Sequence, residues 1–229
     1  ILGSTGSIGR QTLEVIDSLN SHFDINFLTV NSNIELLEKQ IEKYSPNGVV
    51  IANEHSYREF RQSTNFKGEI LKGTEGILEA ASSENDLVVS ALVGFSGVYP
   101  TLAAIKSGSD VALANKETLV SAGSVITREA REHNVEIIAV DSEHSAILQC
   151  LAGESKEEID KLILTASGGP FRDISKEEFG KITVKDALNH PNWSMGSKVT
   201  IDSATMMNKG LEVIEAYWLF GVEIKNIEV

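Results

Sequence analysis

The sequence predicts an α/β fold in which a doubly wound parallel sheet is followed by a second, α+β domain. Two observations carry this prediction. Up to about residue 140, short apolar runs alternate with amphipathic segments of helical period, which is the order of parallel βαβ units with right-handed crossovers. After residue 140 this alternation ends. We therefore predict one domain over residues 1–140 and a second, incomplete at its C-terminal end, over residues 141–229.

The first domain contains several candidate strands. They are the runs IL at 1, INFLTV at 25, GVVIA at 48, DLVVSAL at 86, DVALA at 110 and VEIIAV at 135. Between them, stretches such as Thr12 to Leu19 and Ile34 to Tyr44 predict helices, the second with Leu37 and Ile41 on one face.

The second domain has a different order of elements. A helix SAILQCLAG is followed by a strand KLILTA, a loop SGGPFRD, a loop NHPNWSMGS, a strand KVTID and a long helix from Ala204 to Phe220. That helix is predicted to bury one apolar face, formed by Met207, Leu211, Ile214 and Trp218. The single cysteine, Cys150, is expected to be buried; it excludes an internal disulfide and suits a reducing compartment.

The composition excludes several classes of protein. Hydrophobic residues make up 41% and charged residues 23% of the 229 residues, which is typical of a globular chain and not of a disordered one. The net charge of −13 disfavours nucleic acid and anionic membranes as partners. No apolar run reaches the length of about 18 residues that a membrane span requires. An anionic substrate would need a local cluster of Lys, His and backbone N–H groups.

A glycine-rich turn opens the first domain. ILGSTGSIG places Gly3, Gly6 and Gly9 directly after a strand and before a helix. Glycine permits positive φ and lets the backbone approach a pyrophosphate, which then meets the helix N-terminus. This position favours a Rossmann-like dinucleotide site. The alternative is a tight turn in a fold that binds nothing.

The end of the next strand addresses the choice of nicotinamide cofactor. NAD-specific sites usually place an acidic residue there, to bind the ribose hydroxyls. Here the turn is polar and carries no acid: Asn31, Ser32 and Asn33. These side chains can donate hydrogen bonds to a 2′-phosphate without repelling it. The turn therefore favours NADPH.

A second ligand segment is predicted in ALANKETL, which follows a strand at the edge where open α/β sheets bind ligands. Its candidate residues are Asn115, Lys116 and Glu117. The alternative is that Lys116 and Glu117 form a charge pair in the first turn of an exposed helix.

Acidic residues cluster in VDSEHSAI, after the apolar run VEIIA. In an extended segment Asp141 and Glu143 would share a face. Two carboxylates about 4 Å apart repel by about 4 kcal/mol at an effective dielectric constant of about 20. A cation would offset this repulsion, although in a solvated loop the repulsion would simply be screened.

A third carboxylate comes from the last helix, where Asn208 and Glu212 share a face. With Asp141 and Glu143, Glu212 would complete an oxygen-ligand site for Mg²⁺ or Mn²⁺. Zinc is disfavoured because the sequence shows no Cys/His ligand cluster. The alternative for Glu212 is an exposed helical carboxylate.

Polar residues near these carboxylates have the chemistry to hold a phosphate on a small sugar. They are Ser142, Ser167, His190, Ser203, Asn208 and Lys209. The loop HPNWSMG adds Trp193 and Met195, which either form a lid that closes on ligand or pack under the loop.

These segments together closely resemble the 1-deoxy-D-xylulose 5-phosphate reductoisomerase family. The likeness covers the whole sequence through GSTGSIG, ALANKE, VDSEHSAI, TASGGPFR, HPNWSMG and DSATMMNKGLE, in that order. The resemblance implies an oxidoreductase/isomerase that depends on NADPH and on Mg²⁺ or Mn²⁺. Such an enzyme rearranges and reduces 1-deoxy-D-xylulose 5-phosphate to 2-C-methyl-D-erythritol 4-phosphate in isoprenoid biosynthesis.

The resemblance also implies residue roles. The metal ligands would be Asp141, Glu143 and Glu212. The catalytic and substrate-binding set would be Lys116, Ser142, Glu143, Ser167, His190, Ser203, Asn208, Lys209 and Glu212. The NADPH contacts would be Thr5, Gly6, Ser7 and Ile8 at the diphosphate, Asn115 and Glu117 near the nicotinamide ribose, and Gly196. Residues His190 to Gly196, with Trp193 and Met195, would form the lid.

Partners and location follow from the same resemblance. Family members continue through more of the catalytic domain, which carries the dimer contact, and then a C-terminal helical domain. We therefore expect a homodimer at full length, in the bacterial cytoplasm or a plastid. Two alternatives remain. One is a related NADPH enzyme that reduces a different phosphorylated carbonyl compound, and the other is a non-catalytic NADP-binding regulatory module.

Overall fold

The computed structural model describes residues 1–19, 23–189 and 196–229. These residues form two compact units, Ile1–Val140 and Asp141–Val229. Within the described residues, no helix has both the length and the apolar character needed to cross a membrane.

The first unit alternates strands and helices as the sequence predicts. Its strands are β1 (Phe27–Val30), β2 (Gly48–Ile51), β3 (Glu69–Lys72), β4 (Leu87–Ser90), β5 (Asp110–Leu113) and β6 (Ile137–Ala139). Its helices are α1 (Ser7–Ser18), α2 (Ile34–Tyr44), α3 (Glu54–Ser63), α4 (Gly73–Ser82), α5 (Val98–Lys106) and α6 (Lys116–His133).

All strand pairs of this unit are parallel. β1, β2 and β3 form one set of neighbours, and β4, β5 and β6 form another. The first residues of the chain join the two sets, since Thr29 N donates to Ile1 O (3.0 Å) and Leu2 N donates to Val89 O (2.8 Å). The strand order is therefore β3-β2-β1, residues 1–4, then β4-β5-β6. The prediction of a doubly wound parallel sheet is confirmed.

Burial explains which strands the sequence revealed. Every position of β1 and β2 is buried, because helices cover both faces of a parallel sheet and the strands read as continuous apolar runs. β3, which the sequence analysis missed, has exposed Glu69 and Lys72 at its ends. Charged ends are common on an outer strand, where they discourage further pairing.

The second unit is built from short elements around a small core. Its elements are α7 (Ser142–Cys150), β7 (Leu162–Ile163), α8 (Val184–Ala187), α9 (Ser197–Ala204), α10 (Met207–Phe220) and β8 (Ile227–Glu228). β7 pairs with β8 in parallel. The core is formed by Leu162, Leu164, Ala216, Val222 and Ile227.

Two predicted secondary-structure elements of this unit are wrong. The predicted strand KVTID is the helix α9, in which Lys198 and Asp202 form an ion pair one turn apart, at 2.8 Å. The apolar alternation that suggested a strand is short, and a helical ion pair fits the same residues. The predicted single helix from Ala204 is interrupted at Met206, whose φ of 60° ends α9 and starts α10.

The burial of α10 and of Cys150 also differs from expectation. The buried residues of α10 are Lys209, Glu212, Glu215 and Ala216, whereas Met207 is 57% exposed and Leu211, Ile214 and Trp218 are half-buried. Charged residues can occupy the inner face because they bind one another there. Cys150 is exposed, since α7 turns His144 inward instead.

Candidate dinucleotide and metal sites

The glycine turn is shaped by close backbone contacts. Gly3 has a φ of +87°, and a Cβ atom at Gly9 would lie 2.3 Å from Gly3 O. Only glycine fits such an approach. Gly6 is the N-cap residue of α1 and has no side chain to cap the helix, and it is exposed together with Ser7. The first-turn N–H groups around Thr5, Gly6, Ser7 and Ile8 can therefore meet an anion.

A buried glutamine, which the sequence analysis missed, anchors this turn. Gln40 Nε2 donates to Ser4 O at 2.9 Å, and Ser4 Oγ donates to Gln40 Oε1 at 2.8 Å. Thr29 Oγ1 accepts from Gly3 N at 2.8 Å. The only sequence signal was a polar residue on the inner side of α2, which also carries the buried Leu37.

The turn after β1 is exposed and polar, as predicted. Asn31, Ser32 and Asn33 all face solvent. Asn33 Oδ1 accepts from Leu36 N at 3.1 Å and so caps α2. Because the strands are parallel, this turn, the glycine turn and the segment after β5 lie at the same edge of the sheet.

The segment after β5 is held mainly by Asn115. Its side chain donates to Leu92 O (2.6 Å) and Gly94 O (3.0 Å) and accepts from Thr118 N (3.0 Å), and it is buried. Asn115 therefore ties the loop after β4 to the start of α6. Lys116 is also buried, so the alternative of a fully exposed first-turn charge pair is wrong. Glu117 is half-buried.

Three carboxylates converge in the second unit. Ligand oxygens of Asp141, Glu143 and Glu212 all lie within 4.8 Å of one another. The reason differs from the expected extended segment: Asp141 is the N-cap residue of α7, and its Oδ1 accepts from Glu143 N at 3.4 Å. Glu212 approaches from α10 and is buried, so the alternative of an exposed helical carboxylate is wrong.

Neighbouring side chains hold two of these carboxylates. Lys209 Nζ donates to Glu143 Oε1 at 3.2 Å, to Thr165 O at 2.5 Å and to Glu212 Oε2. Asn208 Nδ2 donates to Glu212 Oε1. Both oxygens of Glu212 are therefore held by its own helix, and a buried ammonium group counters the negative charge.

The donor set fits a hard divalent cation. It consists of carboxylate oxygens from two helices, and such ligands suit Mg²⁺ or Mn²⁺. Octahedral coordination with bonds of about 2.1 Å places ligand oxygens about 3–4 Å apart. The ligand oxygens of the three carboxylates lie within 4.8 Å of one another, so small movements would bring them into such a geometry.

A buried histidine lies behind this site. His144 Nε2 is 2.8 Å from Glu212 O, and its Nδ1 is 3.5 Å from Asp141 Oδ1 and 3.4 Å from Glu215 Oε2. Burial lowers the pKa of His144, but the nearby carboxylates of Asp141 and Glu215 outweigh it and raise the pKa above its ordinary value. No role was predicted from the sequence for His144 or Glu215. The spacing of Glu215 from Glu212 was the only available signal.

The remaining polar candidates are placed as follows. Ser142 Oγ donates to Glu143 Oε2 at 2.6 Å. Ser167 Oγ accepts from Gly169 N at 3.3 Å, and a Cβ atom at Gly169 would lie 2.5 Å from Ser203 O. The loop after β7 therefore packs against α9 near Ser203. Gly196 is the exposed N-cap residue of α9. Three predicted site residues lie outside the described residues. They are His190, predicted to contact the substrate, and the lid residues Trp193 and Met195.

A glycine turn on a parallel sheet and three converging carboxylates fit a class of protein that combines dinucleotide binding with a hard metal ion. Sequence comparison identifies the family within this class. Residues 1–123 match the 1-deoxy-D-xylulose 5-phosphate reductoisomerase family, and residues 137–220 match the C-terminal domain of that enzyme. The chain belongs to this family.

Relatives and solved structures agree with this assignment. The chain is 52% identical to 1-deoxy-D-xylulose 5-phosphate reductoisomerase of Thermoanaerobacter sp. (strain X514) and 54% identical to that of Chloroherpeton thalassium. Each match covers 100% of this chain and 60% of the relative. The chain therefore spans about 60% of the length of these relatives.

Two solved structures illustrate the similarity of fold. One is a DOX-P reductoisomerase in complex with NADPH, fosmidomycin and magnesium, with a TM-score of 0.92, 42% identity, and coverage of 100% of this chain and 59% of that one. The other is the Zymomonas mobilis enzyme in complex with NADPH, with a TM-score of 0.90, 40% identity, and coverage of 99% of this chain and 59% of that one. The Rossmann-like prediction for the first domain is confirmed.

Proposed function

We propose that the protein is a 1-deoxy-D-xylulose 5-phosphate reductoisomerase. It would rearrange and reduce this substrate to 2-C-methyl-D-erythritol 4-phosphate for isoprenoid biosynthesis, with NADPH and Mg²⁺ or Mn²⁺. The convergence of Asp141, Glu143 and Glu212 carries the proposal, because it joins residues 71 positions apart in one oxygen-ligand site. The names of the relatives and the ligands in the similar structures support it.

The metal ion would be held by the three carboxylates of the second unit. When bound, it supplies Lewis-acid polarisation of the substrate's oxygens. Asn208 and Lys209 keep both oxygens of Glu212 in place. Asp141 is fixed by its position at the start of α7.

Substrate binding is assigned to a set of polar groups that the family resemblance implies. They are Lys116, Ser142, Ser167, His190, Ser203, Asn208 and Lys209. Ser142 is exposed next to Glu143, and the loop of Ser167 packs beside Ser203. Hydroxyl, amide and ammonium groups of this kind bind phosphate and sugar oxygens. Trp193 and Met195 would close over the bound substrate.

The dinucleotide is assigned to the first unit and supplies the hydride. Thr5, Gly6, Ser7 and Ile8 would bind its diphosphate at the start of α1. The exposed turn of Asn31, Ser32 and Asn33 would accept the 2′-phosphate, since it carries no acid. By the family resemblance, Asn115 and Glu117 would contact the nicotinamide ribose, and Gly196 would contact NADPH.

The expected assembly and location complete the proposal. At full length the protein would be a homodimer, as the family resemblance implies. The relatives are bacterial enzymes, which favours the bacterial cytoplasm over a plastid.

An absorbance assay of NADPH tests the function. The full-length protein should consume NADPH with 1-deoxy-D-xylulose 5-phosphate, stop when EDTA is added, and recover with Mg²⁺. Asp141→Asn should abolish turnover, whereas Asp160→Asn, an exposed acid of the same unit, should not. Turnover of another phosphorylated carbonyl compound alone would favour the related enzyme. Binding of NADPH without any turnover would favour the regulatory module.

A further inference from the structure

We propose that Glu215 and His144 form a buried positioning pair that orients the Asp141 carboxylate and the Glu212 segment of α10 for cation binding. The inference rests on the proposed metal site and deepens it. Neither residue would bind the ion. Their role would be to act through Asp141 and through the backbone of Glu212.

The His144 ring is held in one orientation. Its Nε2 atom lies 2.8 Å from the backbone oxygen of Glu212. A carbonyl oxygen only accepts hydrogen bonds, so Nε2 must carry a hydrogen. His144 thus fixes the backbone at the residue that supplies the third carboxylate. Phe220, stacked on the ring at 6.2 Å and 7°, limits its rotation.

The other ring nitrogen of His144 lies near two carboxylates. Nδ1 of His144 faces Asp141 Oδ1 at 3.5 Å and Glu215 Oε2 at 3.4 Å. The ring therefore lies between the N-cap residue of α7 and a carboxylate of α10, and it is in contact with both.

Glu215 is fully buried, with 0% exposure. An apolar residue of similar volume would commonly be as stable or more stable at a buried site. A buried carboxylate aimed at His144 therefore suggests a task other than stability. Outer carboxylates that hold a histidine or another carboxylate near a metal ion tune the position and basicity of the ligands.

A rival explanation uses the same atoms differently. Ligand atoms of Asp141, His144 and Glu215 also lie within 4.8 Å of one another, so this trio could itself hold a cation. In that case Nδ1 would bind the ion through its lone pair and could not orient Asp141 for the neighbouring site. The two explanations predict different numbers of bound ions.

The test measures Mn²⁺ affinity by the EPR signal of free Mn²⁺, on the metal-stripped full-length protein without substrate. Glu215→Gln and His144→Gln should each weaken binding about 10- to 100-fold. His144→Asn should lose only part of the affinity, because its amide stays near the Nδ1 position and keeps the contact with Asp141, although it loses the contact with Glu212 O. Glu177→Gln, an exposed residue of the same unit, is the matched control and should bind as the wild type does.

The outcomes separate this inference from the proposed function. If Asp141→Asn leaves Mn²⁺ affinity unchanged, the metal site itself is wrong. If Asp141→Asn abolishes binding while Glu215→Gln and His144→Gln keep the wild-type Kd, only the positioning pair is wrong. A lower Tm of the metal-free variants with an unchanged Kd would reduce the pair to a packing role. Two Mn²⁺ ions per chain would support the rival cation site and overturn the inference.

Discussion

The Lys209 ammonium group lies 3.2 Å from Glu143 Oε1, although the two residues are 66 positions apart and stand on different helices. The same ammonium group contacts Glu212 Oε2. Lys209 therefore compensates two of the carboxylates assigned to the metal ion. Because a bound cation would compete with Lys209 for them, stability and metal affinity should be coupled at this residue.

Lys209→Gln should destabilise the metal-free protein by about 3–5 kcal/mol, since it leaves the buried Glu212 carboxylate without its cation. The same variant should gain more stability from Mg²⁺ than the wild type does, because the ion then compensates the carboxylates alone. Urea unfolding with EDTA and with Mg²⁺ measures both effects. Lys161→Gln, on an exposed pair with Glu228, is the control and should change stability by about 1 kcal/mol or less. An equal gain from Mg²⁺ in Lys209→Gln and wild type would contradict the coupling.

Metal removal should also be visible in the unaltered protein. At a Mg²⁺ concentration of about 100 times Kd, binding should stabilise the native state by about 2.7 kcal/mol. Thermal melting with Mg²⁺ and with EDTA measures the difference. Asp141→Asn should remove this gain and Asp160→Asn should keep it. A gain that persists in Asp141→Asn would place the ion elsewhere.

The contacts at these carboxylates show where sequence reasoning stops. The spacing of Asn208 and Glu212 correctly predicted one helical face, because that contact is local. The burial of Lys209 and Glu215 was not predicted, and the apolar face assigned to α10 was wrong. Lys209 and Glu215 are buried because of partners on α7 and after β7. The sequence of a single helix cannot reveal partners on other elements.

More of the fold than of the site could be predicted from the sequence. β1 and β2 were found because continuous burial leaves continuous apolar runs. β3 was missed because its ends are charged, and the segment of α9 predicted a strand because three β-branched residues follow one another in KVTID. Both errors arise where local composition and tertiary environment disagree.

The close backbone contacts of the glycine turn predict that a larger residue does not fit at Gly9. Gly9→Ala should destabilise the protein by about 1–3 kcal/mol and weaken NADPH binding, because the new Cβ would lie 2.3 Å from Gly3 O and 2.6 Å from Ser4 Cα. Gly180→Ala, where a Cβ meets nothing within 4 Å, is the control. Urea unfolding and NADPH fluorescence titration measure the two effects. Wild-type behaviour of Gly9→Ala would mean that the turn opens without cost.

The anchor of this turn can be removed without adding bulk. Gln40→Leu deletes two hydrogen bonds with Ser4 and leaves buried polar atoms of Ser4 without these partners. Such a loss should cost about 1–3 kcal/mol. NADPH affinity should fall with it, because the diphosphate turn loses its support. Gln62→Leu, on the exposed side of α3, should change stability by no more than about 0.5 kcal/mol. If Gln40→Leu loses stability but binds NADPH normally, Gln40 supports the fold and not the turn.

The acid-free turn after β1 should determine the choice between the two nicotinamide cofactors. Ser32→Glu places a carboxylate where a 2′-phosphate is expected. Two charges about 4 Å apart in water interact by about 1 kcal/mol, which corresponds to a factor of about five in affinity. The KM for NADPH should therefore rise at least about fivefold while that for NADH stays constant or falls. Ser32→Gln is the matched control and should keep the wild-type preference, since it adds length without charge. An equal rise for both cofactors would show that the adenosine end of NADPH binds away from this turn.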